Sequence, residues 1–117
     1  IPGALNRPYS EDVTKVGGIS EERRIGWMAQ DHGVRFIPHG WNTAVGLAAD
    51  LHLASAFATT DLVEYIGGSP YVDDLVATPW QLDADGMLAI PDQPGLGITL
   101  NPDALRRFAP NDEVTLP

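Results

Sequence analysis

From Thr43 to about Ala58 the chain contains Ala-Val-Gly-Leu-Ala-Ala-Asp-Leu-His-Leu-Ala-Ser-Ala-Phe, almost without charge. A helix this apolar on all faces has to be covered by protein on most of them. It is therefore an inner element, and its flanks decide the fold. Before it, Val13 to Val16 is a short strand candidate closed by Gly17-Gly18, and Val34 to Ile37 is a second, broken by Pro38. Between them Ser20 reads as an N-cap, with Glu21 and Glu22 suited to the positive helix end. Ile25, Met28 and Ala29 fall at helical spacing, and His32-Gly33 reads as the stop. Leu62 to Ile66 is a third strand candidate, ending in Gly67-Gly68-Ser69-Pro70. Strand, helix, strand, helix, strand with short connections predicts parallel strands with helices packed outside.

The remainder changes character. Residues 1–10 hold two prolines and a glycine and read as an extended arm or linker. Leu82 to Ile90 reads as a hairpin around Asp85-Gly86, and Pro94-Gly-Leu-Gly is a turn-rich run into another extended piece. Asn101-Pro102 caps and starts a last short helix through Phe108, with Pro at the favoured first position.

The 117 residues suffice for one modest domain with a real core. The chain has no cysteine, which excludes disulfides and thiolate metal sites and fits a reducing, cytoplasmic setting. No apolar run approaches the ~20 residues needed to cross a bilayer. The N-terminus lacks the pattern of a signal peptide, and without a starting Met the chain is expected to be part of something longer. Sixteen acidic residues against seven basic ones give a formal charge of −9. That balance argues against nonspecific nucleic-acid or anionic-membrane binding, both of which want clustered Lys and Arg. Its plainest role is solubility, and the charge of an anionic substrate must be met by a metal ion or by groups outside the chain.

Asp12 and His39 are the candidate chemistry. Each stands beside a short run that ends in a glycine turn, with a helix between them, so parallel α/β packing brings them to one rim. A carboxylate beside an imidazole is a poised general acid–base. Imidazole titrates near ~6.5, and a carboxylate orients the ring and favours imidazolium once a proton has moved. The structural alternatives are a turn-forming Asp12, a packing His39, a surface Glu64 and a core Trp41. His32 reads as a helix terminator and His52 as a buried or interface histidine. Lys15, on a strand, would point away from Thr14. Asp73-Asp74 and Asp83/Asp85 are explained by turns and caps.

Asp12-Val-Thr-Lys-Val-Gly-Gly-Ile-Ser-Glu, Pro38-His39-Gly40, Val63-Glu64-Tyr65 and Ile90-Pro-Asp-Gln-Pro-Gly-Leu-Gly97 occur in that order. Together they resemble the C-terminal part of the enolase superfamily, mandelate racemase branch, over roughly residues 11–108. The resemblance implies an α/β fold: the C-terminal part of a modified (β/α)8 barrel, about three βα units in residues 11–80, and a tail, 81–117, contributing to the capping region. It implies that Asp12, His39 and Glu64 end the sixth, seventh and eighth barrel strands. His39 would be the catalytic base, Asp12 its partner and Glu64 a polar electrophilic group able, when protonated, to donate to the substrate carboxylate. Gly40 and Trp41 would line the substrate site. An aspartate at position 12, where the lactonising branch carries a lysine base, favours the mandelate racemase branch.

The resemblance further implies Mg²⁺ and removal of the proton next to a substrate carboxylate. The family's acidic metal ligands have no counterpart here, so they are expected outside this chain. The expected function is part of a sugar-acid (aldonate or aldarate) dehydratase. The alternatives are a racemase or epimerase of a 2-hydroxy acid and a noncatalytic α/β binding or assembly module. A barrel takes ~250 residues, and three strands alone would leave open edges and an exposed apolar face. The expected partners are therefore the remainder of the barrel and capping domain, on the same or another chain, with homo-oligomerisation. The isolated chain is expected to be inactive.

Overall fold

α3, Ala44–Ser55, is the inner helix that its composition demands. A computed structural model of the chain describes residues 12–109, so the arm expected at 1–10 lies outside the described residues. Thr43 caps α3 by accepting the Gly46 N–H on its side-chain oxygen. Three apolar clusters then cover the helix. Ala49 and Leu53 meet Val13, Ala29, Phe36 and Phe57. Leu47 and Leu51 meet Val72, with Val63, Tyr65 and Leu88 packed around them. Ala44, at the start of the helix, meets Leu75, Val76 and Ala104. Each buried leucine contributes about 1.5–3 kcal/mol, so α3 anchors everything around it.

The first expected strand is instead a helical turn, α1, Val13–Val16. Its ends explain the difference. Asp12 accepts the Thr14 N–H at 2.7 Å and the Thr14 hydroxyl at 2.6 Å, which fixes the entry to the turn. Gly17 then takes φ 103°, open to glycine at little cost, and the Gly18 N–H closes on the Val13 carbonyl at 2.8 Å. Local side-chain and cap hydrogen bonds outweigh the β preference of the two valines. Lys15 accordingly does not point away from the site: its Nζ lies 3.7 Å from Asp12 Oδ2.

α2, Ile19–Asp31, has Gly18 rather than Ser20 at its N-cap. The Glu21 and Glu22 N–H groups both reach the Gly18 carbonyl at 3.1 Å, which places Ser20 inside the first turn. The helix stops at His32-Gly33 as expected, and His32 Nδ1 lies 2.8 Å from the Met28 carbonyl oxygen.

Among the described residues the other two expected strands are extended segments rather than strands. They meet in one isolated parallel bridge, His39 to Glu64, with the Glu64 N–H donating to the Pro38 carbonyl at 3.0 Å. Pro38 has no N–H, which breaks the ladder next to the bridge. The parallel direction expected from the connections is present in that bridge. Arg35 clamps the same two segments through both carboxylate oxygens of Asp61, holding the Asp61 carboxyl below its usual range.

The turn-rich remainder follows its sequence signals. Leu82 and Leu88 pair antiparallel around Asp85-Gly86, and Asp83 accepts the Asp85 and Met87 N–H groups. Val76 pairs with Leu100, which leads into α4, Pro102–Phe108, capped by Asn101. Asp73 accepts the Gly68 N–H, and Asp74 pairs with Arg107. Trp27, Met28, Leu62 and Met87 stay exposed.

Candidate active site

Three chain segments bring the candidate side chains together. Asp12 comes from the cap of α1, His39 from the extended segment after α2, and Glu64 from the segment after α3. In a parallel bridge the paired residues stand side by side on one face, which sets Glu64 next to His39. His39 Nδ1 lies 3.9 Å from Asp12 Oδ2, an ion-pair separation rather than a hydrogen bond. On the other side of the ring, Nε2 lies 3.4 Å from Glu64 Oε2. The imidazole therefore stands between two carboxylates, with Asp12 behind it and Glu64 before it.

Burial grades the three. The Asp12 side chain is 1% exposed, His39 25% and Glu64 43%. Asp12 is fixed, His39 reaches the surface of the site, and Glu64 borders solvent. Oδ1 of Asp12 is occupied by Thr14, while Oδ2 accepts from Asn42 Nδ2 and faces Lys15 and His39. With so many donors committed to it, the carboxylate has little freedom to turn. Asp12 is thus both the turn former of its structural alternative and the group behind the imidazole.

Gly40 is required at the turn after His39. A Cβ there would come within 2.2 Å of the Glu64 carbonyl oxygen and 3.0 Å of Leu47 Cδ1. The close approach keeps the His39 and Glu64 segments in contact. Trp41 is exposed and lies flat against the His39 ring, with centroids 6.1 Å apart and planes 11° from parallel. Gly40, Trp41, Asn42, Pro70 and Tyr71 line a cleft of about 250 Å³. Neither that cleft nor the one of about 470 Å³ between Val76 and Thr99 is lined by Asp12, His39 or Glu64.

Among the described residues no group of three histidine, aspartate or glutamate side chains could hold a metal ion. Asp12 is already committed to protein donors, and His39 and Glu64 alone do not make a divalent site. These residues do not fit the Mg²⁺ that the resemblance implies.

The family model described as enolase C-terminal domain-like matches residues 9–104, most of the chain. The chain belongs to that family. Its resemblances fall in the mandelate racemase branch of the enolase superfamily. It is 40% identical to a D-galactarolactone cycloisomerase of Agrobacterium fabrum over 83% of this chain and 28% of that protein. It is also 40% identical to a D-galactonate dehydratase family member of Streptomyces bingchenggensis, over 90% of this chain and 26% of that protein. Among solved structures, a mandelate racemase/muconate lactonizing enzyme-like protein from Rubrobacter xylanophilus superposes with a TM-score of 0.76 at 27% identity. That likeness covers 96% of this chain and 28% of the other. The enolase-like chain therefore spans about a quarter of the length of the relatives it matches, and its fold is that of a piece of their C-terminal barrel domain.

Sequence reasoning missed the support behind this enolase-like site. Asn42 follows the His-Gly-Trp turn directly, and that proximity was the available signal. Asp50 was legible as the one acidic residue inside an apolar helix, and Glu22 passed for an ordinary first-turn acid. Both are buried, at 1% and 0% exposure.

Proposed function

We propose that the chain is the acid–base portion of an enolase-superfamily enzyme that removes the α-proton of a carboxylate substrate, with sugar-acid dehydration as the reaction. One observation carries the reading: His39 stands between the fixed carboxylate of Asp12 and the accessible carboxyl of Glu64. Asp12 stabilises the proton on Nδ1, which leaves Nε2 as the basic nitrogen on the substrate side. Nε2 takes the α-proton, and the C–H electron pair passes into the enediolate. Protonated His39 then returns that proton to the leaving hydroxyl, which departs as water. Glu64, when protonated, donates to the substrate carboxylate. Gly40 brings the backbone close, and Trp41 walls the substrate beside the imidazole.

The Mg²⁺ of the enolase resemblance has its ligands outside this chain, in the remainder of the barrel. On this reading residues 11–80 are barrel and 81–117 turn toward the capping region. The relative named as a D-galactonate dehydratase family member supports a sugar-acid substrate. The equally similar cycloisomerase supports a second reading, in which the same base acts without loss of water. For a 2-hydroxy acid that outcome is racemisation or epimerisation.

Product analysis of the intact protein over aldonic and aldaric acids separates the two. Dehydration gives a 2-keto acid that semicarbazide traps. Recovery of an inverted acid with no trappable ketone would replace dehydration by racemisation.

A further inference from the structure

Each oxygen of the Asp12 carboxylate is held by a different part of the chain. Oδ1 accepts the Thr14 N–H at 2.7 Å and the Thr14 hydroxyl at 2.6 Å, both within the first turn of α1. Oδ2, the oxygen 3.9 Å from His39 Nδ1, accepts from Asn42 Nδ2. A carboxylate only accepts, so the Asn42 amide turns its nitrogen to that oxygen. Asn42 arrives there through a tight turn: the Trp41 N–H donates to the His39 carbonyl at 2.9 Å, and Thr43 next caps α3. The first turn of α3 packs against both donors. A Cβ on Gly46 would lie 3.2 Å from Asn42 Cβ and 3.4 Å from Thr14 Cγ2.

A neutral imidazole has one proton to place, and two carboxyl groups compete for it. Asp12 draws it to Nδ1, and Glu64 Oε2, 3.4 Å from Nε2, draws it to the other nitrogen. Glu64 is nearer but more exposed, so solvent weakens its pull. Only the first placement leaves Nε2 bare toward the substrate. We propose that Asn42 is a positioning residue that decides this contest: by holding Asp12 Oδ2 toward Nδ1, it keeps the neutral imidazole in its Nδ1–H form. The proposal rests on reading His39 as the base and Asp12 as its partner. The other cation at Oδ2, Lys15, lies 3.7 Å away on a largely exposed side chain, whereas Asn42 is half-buried. Without Asn42, Oδ2 is free to turn toward that ammonium, and the imidazole proton passes to the Glu64 side.

The test uses the intact protein with Asn42→Ala and with Asn42→Asp, which keeps the shape and, once ionised, has no donor. Imidazole 15N chemical shifts are read at a pH where His39 is neutral. Native His39 is expected to carry its proton on Nδ1, and both variants to move most of it to Nε2. In kinetics both are expected to lower kcat about tenfold to a hundredfold with little change in KM. A loss of packing alone would not exchange the two tautomers in a folded protein.

A native protein whose neutral His39 carries the proton on Nε2 would overturn the proposal, whether or not the variants fold. Folded variants that keep the native tautomer would also overturn it. A shifted tautomer with native kcat, or a native protein that turns over no acid, would count against the acid–base reading alone, because the 15N result does not depend on turnover.

Discussion

His39 stands between two carboxyl groups. Asp12 Oδ2 lies 3.9 Å from Nδ1 in a fully enclosed position, whereas Glu64 lies 3.4 Å from Nε2 where solvent still reaches. Asp50 adds a pH dependence that can be read without any substrate. Burial pushes its carboxyl from 3.8 up to about 7, so the folded chain keeps a proton that the unfolded chain has already lost. The folded state then binds more protons across that interval, and stability falls as pH rises from about 4 to about 7 and levels off above it. Asp50→Asn removes the titration. Its melting temperature should exceed the native value at pH 8 and lose that advantage near pH 4. A constant difference across the range would show that Asp50 does not titrate this way.

Elements set these side chains through a few close contacts rather than through a broad sheet. The parallel bridge depends on Gly40, where even a methyl group would strike the Glu64 carbonyl. Gly40→Ala should cost about 1–3 kcal/mol in chemical denaturation, as expected of overpacking, and should separate His39 from Glu64. Unchanged stability would mean that the two segments are not packed so closely. α3 was legible because an apolar run of that length with a single acidic residue has one solution, and α4 because Asn101-Pro102 is a strong start signal. α1 was not. Val-Thr-Lys-Val carries the composition of a strand, and only the hydrogen bonds of Asp12 to Thr14 and the left-handed Gly17 turn it into a helix. The candidate residues that the structure brings together, Asp12, His39 and Glu64, were legible from their motifs. Their support was not, since nothing local distinguishes the buried Glu22 from its half-exposed neighbour Glu21.

At the scale of the whole molecule, the proposed function assigns this chain one side of a reaction. It spans about a quarter of its relatives, leaves Trp27 and Met28 exposed, and offers no trio of metal-binding side chains among its described residues. The isolated 117-residue chain should therefore show no turnover, whereas the intact protein should lose turnover on chelation by EDTA and regain it with Mg²⁺. Turnover by the isolated chain would contradict this division of labour. The most direct measurement compares the native intact protein with His39→Asn on a sugar acid that the native protein converts. Both should melt alike, and the substitution should lower kcat by about 10²- to 10⁴-fold, the range typical of a lost general base. A His39→Asn protein that is folded and turns over at the native rate would contradict the assignment of proton abstraction to this imidazole.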